Sequence, residues 1–284
     1  MKRYCGRDFS PQELREISEL IKNNPSFNRT KLSQEICQML GWYKADGGLK
    51  AMSCRVAMLR MQKDTLISLP PSLRGPKTIF KPSLSSKTDP QALIQQPVHQ
   101  LEALQLRLVT SKDTSLWNEY IERYHYLGYT NLPGAQLRYF VIMSGRILAL
   151  MGFGASAWQV APRDQFIGWG DEQRLRGLPL IVNNARFLIL PWVQSKNLAS
   201  KILALTARQL PHDWLTQYNI RPVLMETFVE SERFMGTCYR AANWINVGKT
   251  KGRGKLGPSG IQSVPIKDIF LYPLSRNFRN ILKQ

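Results

Sequence analysis

The chain has 284 residues, 39 Lys and Arg against 20 Asp and Glu, and a formal charge of +19. A hydrophobic fraction of 43% with seven Trp, ten Tyr and eleven Phe supports a real core, which excludes a mainly disordered chain. No run of about 18 apolar residues suggests a membrane span, no apolar stretch follows Met1-Lys2-Arg3 to make a secretory signal, and so the expected compartment is the cytoplasm.

Residues 1–70 read as a small helical domain. Ser10-Pro11-Gln12-Glu13 has the form of a helix start, with Ser as N-cap and Pro at the first helical position. Leu14, Ile17, Leu20 and Ile21 follow at helical spacing. A second helix opens near Asn28 and carries Leu32, Ile36 and Leu40 on one face. A third is expected from about Leu49 to Lys63, with Met52, Val56 and Leu59 inward. Thr65 to Leu69 reads as a short strand. Three helices and a terminal strand predict a winged helix-turn-helix whose third helix enters the major groove. Lys50, Ser53, Arg55 and Arg60 would then face the bases. Arg29, Thr30 and Lys31 would sit at a helix start, where free N–H groups favour phosphate. The same shape also serves protein docking. Twelve basic and seven acidic residues in this segment fit either use.

Residues 71–98 read as a Pro/Ser-rich linker, since residues 70–97 hold six of the seventeen prolines. Residues 99–284 form the larger domain. A weak strand is expected over Leu104–Thr110, a helix over Ser115–Tyr126, and a hairpin over Gln136–Met143 and Ile147–Phe153. Asn184–Val193 is a strand apolar enough for burial on both faces. A helix over Leu198–Gln209, a strand over Arg221–Val229, a short helix over Gly236–Asn243 and strands at Ile245–Lys249 and Ile269–Leu274 complete a mixed α/β sheet.

Cysteines 5, 37, 54 and 238 show no C-x-x-C spacing, and His99, His125 and His212 are remote from them, so no metal site is expected. Cys37 and Cys54 fall on apolar helix faces and read as buried thiols. Glu226 lies in the apolar run Val223–Phe228. A buried carboxylate needs a partner, with Arg163 or Arg186 available, or else it is a general base of raised pKa facing a pocket. His125 reads as a core imidazole or a base, and Asp164 as the ion-pair partner of Arg163 or a second acid. Residues 233–284 hold ten Lys and Arg and one acid. Lys249, Lys251, Arg253 and Lys255 alternate with small residues, and in extended chain they would share a face along a phosphate track, with Arg240 nearby. The remaining reading of this segment is a solvated loop.

The element order resembles the GNAT-type acyltransferase superfamily, and Tyr239-Arg240-Ala241-Ala242-Asn243-Trp244 resembles its helix Tyr followed by the last strands. By that resemblance Tyr239 is the acid that protonates a departing thiolate, although a packed Tyr is the other reading. The turn Pro191–Ser200 would face coenzyme A, with Lys196 and Asn197 supplying polar groups and Ala199 and Ser200 close approach. It lacks the glycines of that superfamily's pyrophosphate turn. A narrower resemblance runs along nearly the whole chain. His125-Tyr126-Leu127-Gly128-Tyr129, Arg163–Trp169, Asn183–Pro191, Glu226–Val229 and Gly236–Trp244 together resemble the DruA family of the Druantia anti-phage system. Similar regions occur in transposase-associated proteins. The resemblances imply a GNAT-like α/β domain and a role in phage defence, and the excess of 19 positive charges, which a polyanion would neutralise, makes a DNA-binding component the expectation. The alternatives are an acyltransferase-like modifier of nucleic acid or protein, a mobile-element protein, or an adaptor that docks other defence proteins.

Overall fold

The computed structural model describes residues 1–43, 47–73, 81–132, 134–253 and 262–284. It divides into two compact units, Met1–Phe80 and Lys81–Gln284.

The first unit opens with a hairpin of β1 (Lys2–Tyr4) and β2 (Arg7–Phe9), with Lys2 opposite Phe9. Its two-residue turn has positive φ at both Cys5 and Gly6, the geometry that matches strand twist. Three helices follow: α1 (Pro11–Asn23), α2 (Arg29–Met39) and α3 (Ala51–Lys63). The Ser10 hydroxyl and the Glu13 carboxylate cap α1 reciprocally. Phe9, Ile17, Leu32, Ile36, Trp42 and Met58 fill the core beside the buried Cys37 and Cys54.

Two expectations for this unit are corrected. The α3 face is turned: Cys54, Ala57, Met58 and Met61 point inward, and Met52, Val56 and Leu59 are exposed. Small residues at 54 and 57 let α3 approach α2 closely, a preference that apolar spacing alone does not reveal. Thr65–Leu69 pairs with no strand, although Ile67 and Leu69 are buried by packing. The β-structure of this unit lies before the helices, so the three helices are seen and the terminal strand of the winged form is not.

The second unit is built on a seven-stranded sheet in the order β3-β4-β5-β6-β7-β9-β8. The strands are β3 (Gln105–Leu108), β4 (Gln136–Met143), β5 (Arg146–Ala155), β6 (Ile181–Ile189), β7 (Leu224–Glu230), β8 (Ile245–Lys249) and β9 (Lys267–Pro273). All neighbours are antiparallel except β6 and β7. One face packs on α4 (Thr114–Tyr124), α7 (Leu198–Tyr218) and α8 (Thr237–Ala241) through Trp117, Ile121, Ile202, Trp214 and Tyr239. The other packs on α5 (Ala161–Ile167), α6 (Asp171–Gly177) and α9 (Phe278–Leu282) through Ile167, Trp169, Phe278 and Leu282. No described helix is long and apolar enough to cross a membrane.

The expected linker is also corrected. From Lys81 onward it belongs to the second unit and is strapped across it. The Glu119 carboxylate accepts from the Ser85 N–H and from the Thr88 hydroxyl at 2.8 Å, and the Tyr124 hydroxyl donates to the Thr88 carbonyl at 2.7 Å. Among the described residues the strap has no neighbouring strand along this stretch, so side chains of α4 supply partners for its polar groups.

Candidate functional site

Strands β6 and β7 pair only from Ile181↔Leu224 to Asn184↔Thr227. Beyond that point β6 follows β5 and β7 follows β9, which opens a wedge. Tyr239 of α8 packs beside it on one face of the sheet. Its hydroxyl donates to Asn184 Oδ1 at 2.9 Å, and the Thr227 hydroxyl donates to the Asn184 carbonyl at 3.0 Å. Asn184 Nδ2 donates in turn to the carbonyl of Arg186 at 3.0 Å. The ring stacks on Phe270 and meets Trp244 edge-on. Burial pushes the phenol well above its ordinary range. These contacts are those of a packed, hydrogen-bonded tyrosine.

Glu226 does not join Tyr239. Side chains alternate along a strand, and Glu226 shares the face of Leu224 and Phe228, which pack with Ile167 and Ile269. Met225 and Val229 lie on the opposite face, in the cluster that holds Tyr239. Glu226 is fully buried, and both its oxygens are engaged. One accepts from the Ala157 N–H at 2.7 Å and the other from Arg163 Nη1 at 2.9 Å. Burial pushes its carboxyl up, while the Arg163 charge and the Ala157 N–H pull it back. Arg163 is likewise buried. It also donates to the Ala157 carbonyl and to Asp164 Oδ1, and it lies over the Trp169 ring. Asp164 further accepts from Trp169 Nε1 and from the Val160 N–H. Of the two partners open to Glu226, the structure selects Arg163. The arrangement ties α5 to β7 rather than aiming at a cavity.

His125 caps α4 and is buried, with Nδ1 accepting from the Leu127 N–H at 3.2 Å. Burial, then the nearby Arg186 charge, lower its pKa to about 4, so the imidazole is neutral at pH 7. Arg186 donates to the Ala185 carbonyl and to the Thr130 hydroxyl. Among the described residues no group of three His, Cys, Asp or Glu could hold a metal ion.

The turn expected to face coenzyme A is bonded at its start to the strap. Ile94 makes a parallel bridge to Val193, accepts from the Gln194 N–H at 2.8 Å and donates to the Trp192 carbonyl at 2.9 Å. The Val98 N–H donates to the Lys196 carbonyl at 3.4 Å. Asn197 stands in the left-handed region and offers no side-chain cap to α7, and the Ser200 hydroxyl donates to the Asn197 carbonyl. Ala199 is half-buried behind it. A pyrophosphate cradle needs inward-pointing free N–H groups. At this turn the strap uses the N–H of Gln194, and the segment from Pro191 to Ser200 holds no glycine to ease close approach.

The cationic candidates divide. Asn28 Oδ1 caps the Thr30 and Lys31 N–H groups, so the expected phosphate donors at α2 are used internally. Arg29 Nε donates to the Pro70 carbonyl, and Lys31 pairs with Glu35 at 2.6 Å. Arg55 reaches the Thr30 hydroxyl at 3.3 Å, which brings these two together, and Ser53 and Lys50 are half-buried. Arg60 is exposed among Met52, Val56 and Leu59. In the second unit Lys249 ends β8, an edge strand, and Lys251 follows it; both are exposed. The acid opposite Lys249 in register is Asp268, whose oxygens accept from Ser231 and Asn246. Arg253 is half-buried, and its carbonyl accepts from the Ser263 hydroxyl. Arg240 is exposed on α8. Lys255 lies outside the described residues.

The sequence reading passed over one feature. Tyr126 and Phe234 lie together at the surface, with Arg233 over the Tyr126 ring. The signal was present in two aromatic–aliphatic pairs, Tyr126-Leu127 and Phe234-Met235, each followed within one residue by glycine.

An α/β unit with one parallel strand pair, a wedge beside it and a basic edge is thus joined to a small helical unit. Residues 63–264 match the family described as Druantia protein DruA, and the chain belongs to that family. Among curated proteins nothing matches. Among solved structures the chain is similar to aminoglycoside acetyltransferase AAC(6')-Ib, solved with coenzyme A, at 14% identity over 63% of this chain and 98% of that one, with a TM-score of 0.38. It is also similar to a putative phosphinothricin N-acetyltransferase, at 13% identity over 61% of this chain and 100% of that one, with a TM-score of 0.41. An N-acetyltransferase from Staphylococcus aureus Mu50 shares 10% identity over 61% of this chain and 99% of that one, with a TM-score of 0.37.

Proposed function

We propose that this chain is the DNA-binding component of a Druantia-type anti-phage system, acting in the cytoplasm alongside other proteins of that system. The observation that carries the reading is the edge of the second unit. Lys249 and Lys251 stand exposed on and beside β8, and the facing acid, Asp268, is already held by Ser231 and Asn246. With +19 overall, a polyanion relieves the self-repulsion of such a surface. An edge strand presents alternate side chains along a line, which suits a regular row of phosphates. The helical unit adds Arg60 and the Thr30–Arg55 pair in this reading.

The test is a titration of labelled duplex DNA at rising salt. Each phosphate contact contributes about 0.9 to the slope of log affinity against log salt. The combined K249Q, K251Q and R253Q variant should lower that slope by about 2 to 3 and weaken binding at every sequence tested. An unchanged slope would remove this edge from the interface. A flat salt dependence of the wild type would remove DNA as the partner.

A further inference from the structure

Two turns meet at the rim of the second unit, and each displays side chains that a folded chain ordinarily covers. The first follows α4: Tyr126 is 37% exposed and Leu127 44%. The second follows β7: Phe234 is 45% exposed and Met235 76%. Tyr126 and Phe234 meet edge-on with ring centroids 5.2 Å apart, and the back of Tyr126 stacks on His125 at 4.9 Å. The Arg233 guanidinium lies 4.8 Å over the Tyr126 ring. Arg240, exposed on α8, is tied to the same turn by a 2.9 Å bond to the Met235 carbonyl.

Both turns are held firmly. The Gly128 N–H closes the first on the His125 carbonyl at 2.7 Å, and the Tyr129 N–H reaches Glu122 at 2.8 Å. The Arg233 and Phe234 N–H groups both close the second on the Glu230 carbonyl. Gly236 ends it at φ +67°, packed where a Cβ would lie 2.6 Å from the Phe270 ring. Tyr126 is covered by His125 and Arg233, so it braces Phe234, the ring presented for stacking, and little entropy remains to be lost when something stacks there. The acid facing Tyr126 is Glu230, whose side chain is largely buried and lies 3.7 Å from Arg233.

We propose that this rim is a stacking platform for unpaired bases of a single-stranded nucleic acid, with Arg233 and Arg240 on its phosphates. Bases stack on exposed aromatic faces whatever their sequence, and interleaved guanidinium groups hold the backbone between them. An apolar protein partner would instead bury Arg233 and Arg240 without carboxylates of its own, which is costly. The platform rests on the nucleic-acid reading and deepens it: the edge strand takes duplex phosphates, and the rim takes strand that has opened.

The test compares oligothymidine, oligouridine and a blunt duplex by fluorescence anisotropy. The F234A variant should lose about tenfold or more in affinity for the single strands and keep its duplex affinity, from the usual contribution of one stacked base. Since Phe234 is half exposed, the variant should fold, and unchanged thermal unfolding checks this. F234W should keep single-strand affinity and be quenched on binding, a signature of base stacking. A preference for thymidine over uridine oligomers assigns the platform to DNA, and equal binding assigns it to single strands of either kind. Single-strand affinity unchanged in F234A, or lost equally with duplex affinity, would overturn the platform while the duplex reading stands. Wild-type protein that binds no nucleic acid of any form would overturn both.

Discussion

His125 makes a quantitative prediction about stability and pH. In the unfolded chain an imidazole titrates near 6.5, and in this fold burial and Arg186 bring it to about 4. Between those values the unfolded chain binds the proton and the native one does not. Stability from this group is therefore complete above pH 6.5 and is lost as pH falls toward 4. A displacement of that size corresponds to about 3 kcal/mol at its limit, and about 2.5 kcal/mol of it is lost by about pH 4.5. The structure supplies the reason. Nδ1 accepts from the Leu127 N–H, so a protonated ring loses a bond and places a second cation beside Arg186. The assay is urea unfolding of wild type and H125N, which keeps an acceptor near Nδ1, at several pH values. Glu13, Asp113 and Glu119, whose carboxyl pKa values are lowered, also destabilise the fold in acid, but they do so equally in both proteins. Between about pH 7 and 4.5 the wild type should lose about 2.5 kcal/mol more than H125N. Parallel pH curves would refute the reasoning.

The Arg163–Glu226 pair predicts that R163M, which strands a buried carboxylate, destabilises by about 3 to 5 kcal/mol, while R163M/E226L together cost far less than the sum of the single changes. Additive losses in a double-mutant cycle by chemical denaturation would contradict the coupling. G236A should cost about 2 to 4 kcal/mol, from a left-handed φ and a Cβ driven into Phe270; a thermal midpoint equal to wild type would show that the turn yields.

Much of the second unit could be read from residue order. The hairpin over Gln136–Met143 and the strands ending at Lys249 and Pro273 follow from alternation and turn signals. Residues 156–180 hold α5 and α6, each seven residues long, too short for a periodic signal to emerge. The strap was misread for a related cause. Its prolines mark it as irregular, but its contacts are made to α4 and to the turn after β6, roughly 30 and 100 residues away. The α3 face is hard to read from residue order because Met and Val score as core residues on both sides of the helix, while two of the four inward positions are held by Cys54 and Ala57. For the site, the sequence narrowed the partners of Glu226 to two arginines but could not say which sheet face each residue takes relative to Tyr239. That depends on the register Asn183↔Glu226 and on how α8 returns over the sheet.

The distribution of internal contacts in the second unit bears on how it acts. Three places where the sequence allows enzyme chemistry are Tyr239, the strand carboxylate Glu226 and the turn before α7. Each makes bonds within the chain: Tyr239 to Asn184, Glu226 to Arg163, and the start of the turn, at Trp192 and Gln194, to Ile94. A side chain committed to a neighbour must break that bond before it can serve a ligand, so these positions are poor starting points for recognition. The rim and the edge strand differ. The backbone of Phe234 is held by Glu230, that of Met235 by Arg240 and that of Lys249 by β9, while their side chains and that of Lys251 remain exposed. A rigid frame with uncommitted aromatic and cationic groups is already arranged to meet a partner, which is why the nucleic-acid proposal rests on the periphery of this sheet rather than on its centre.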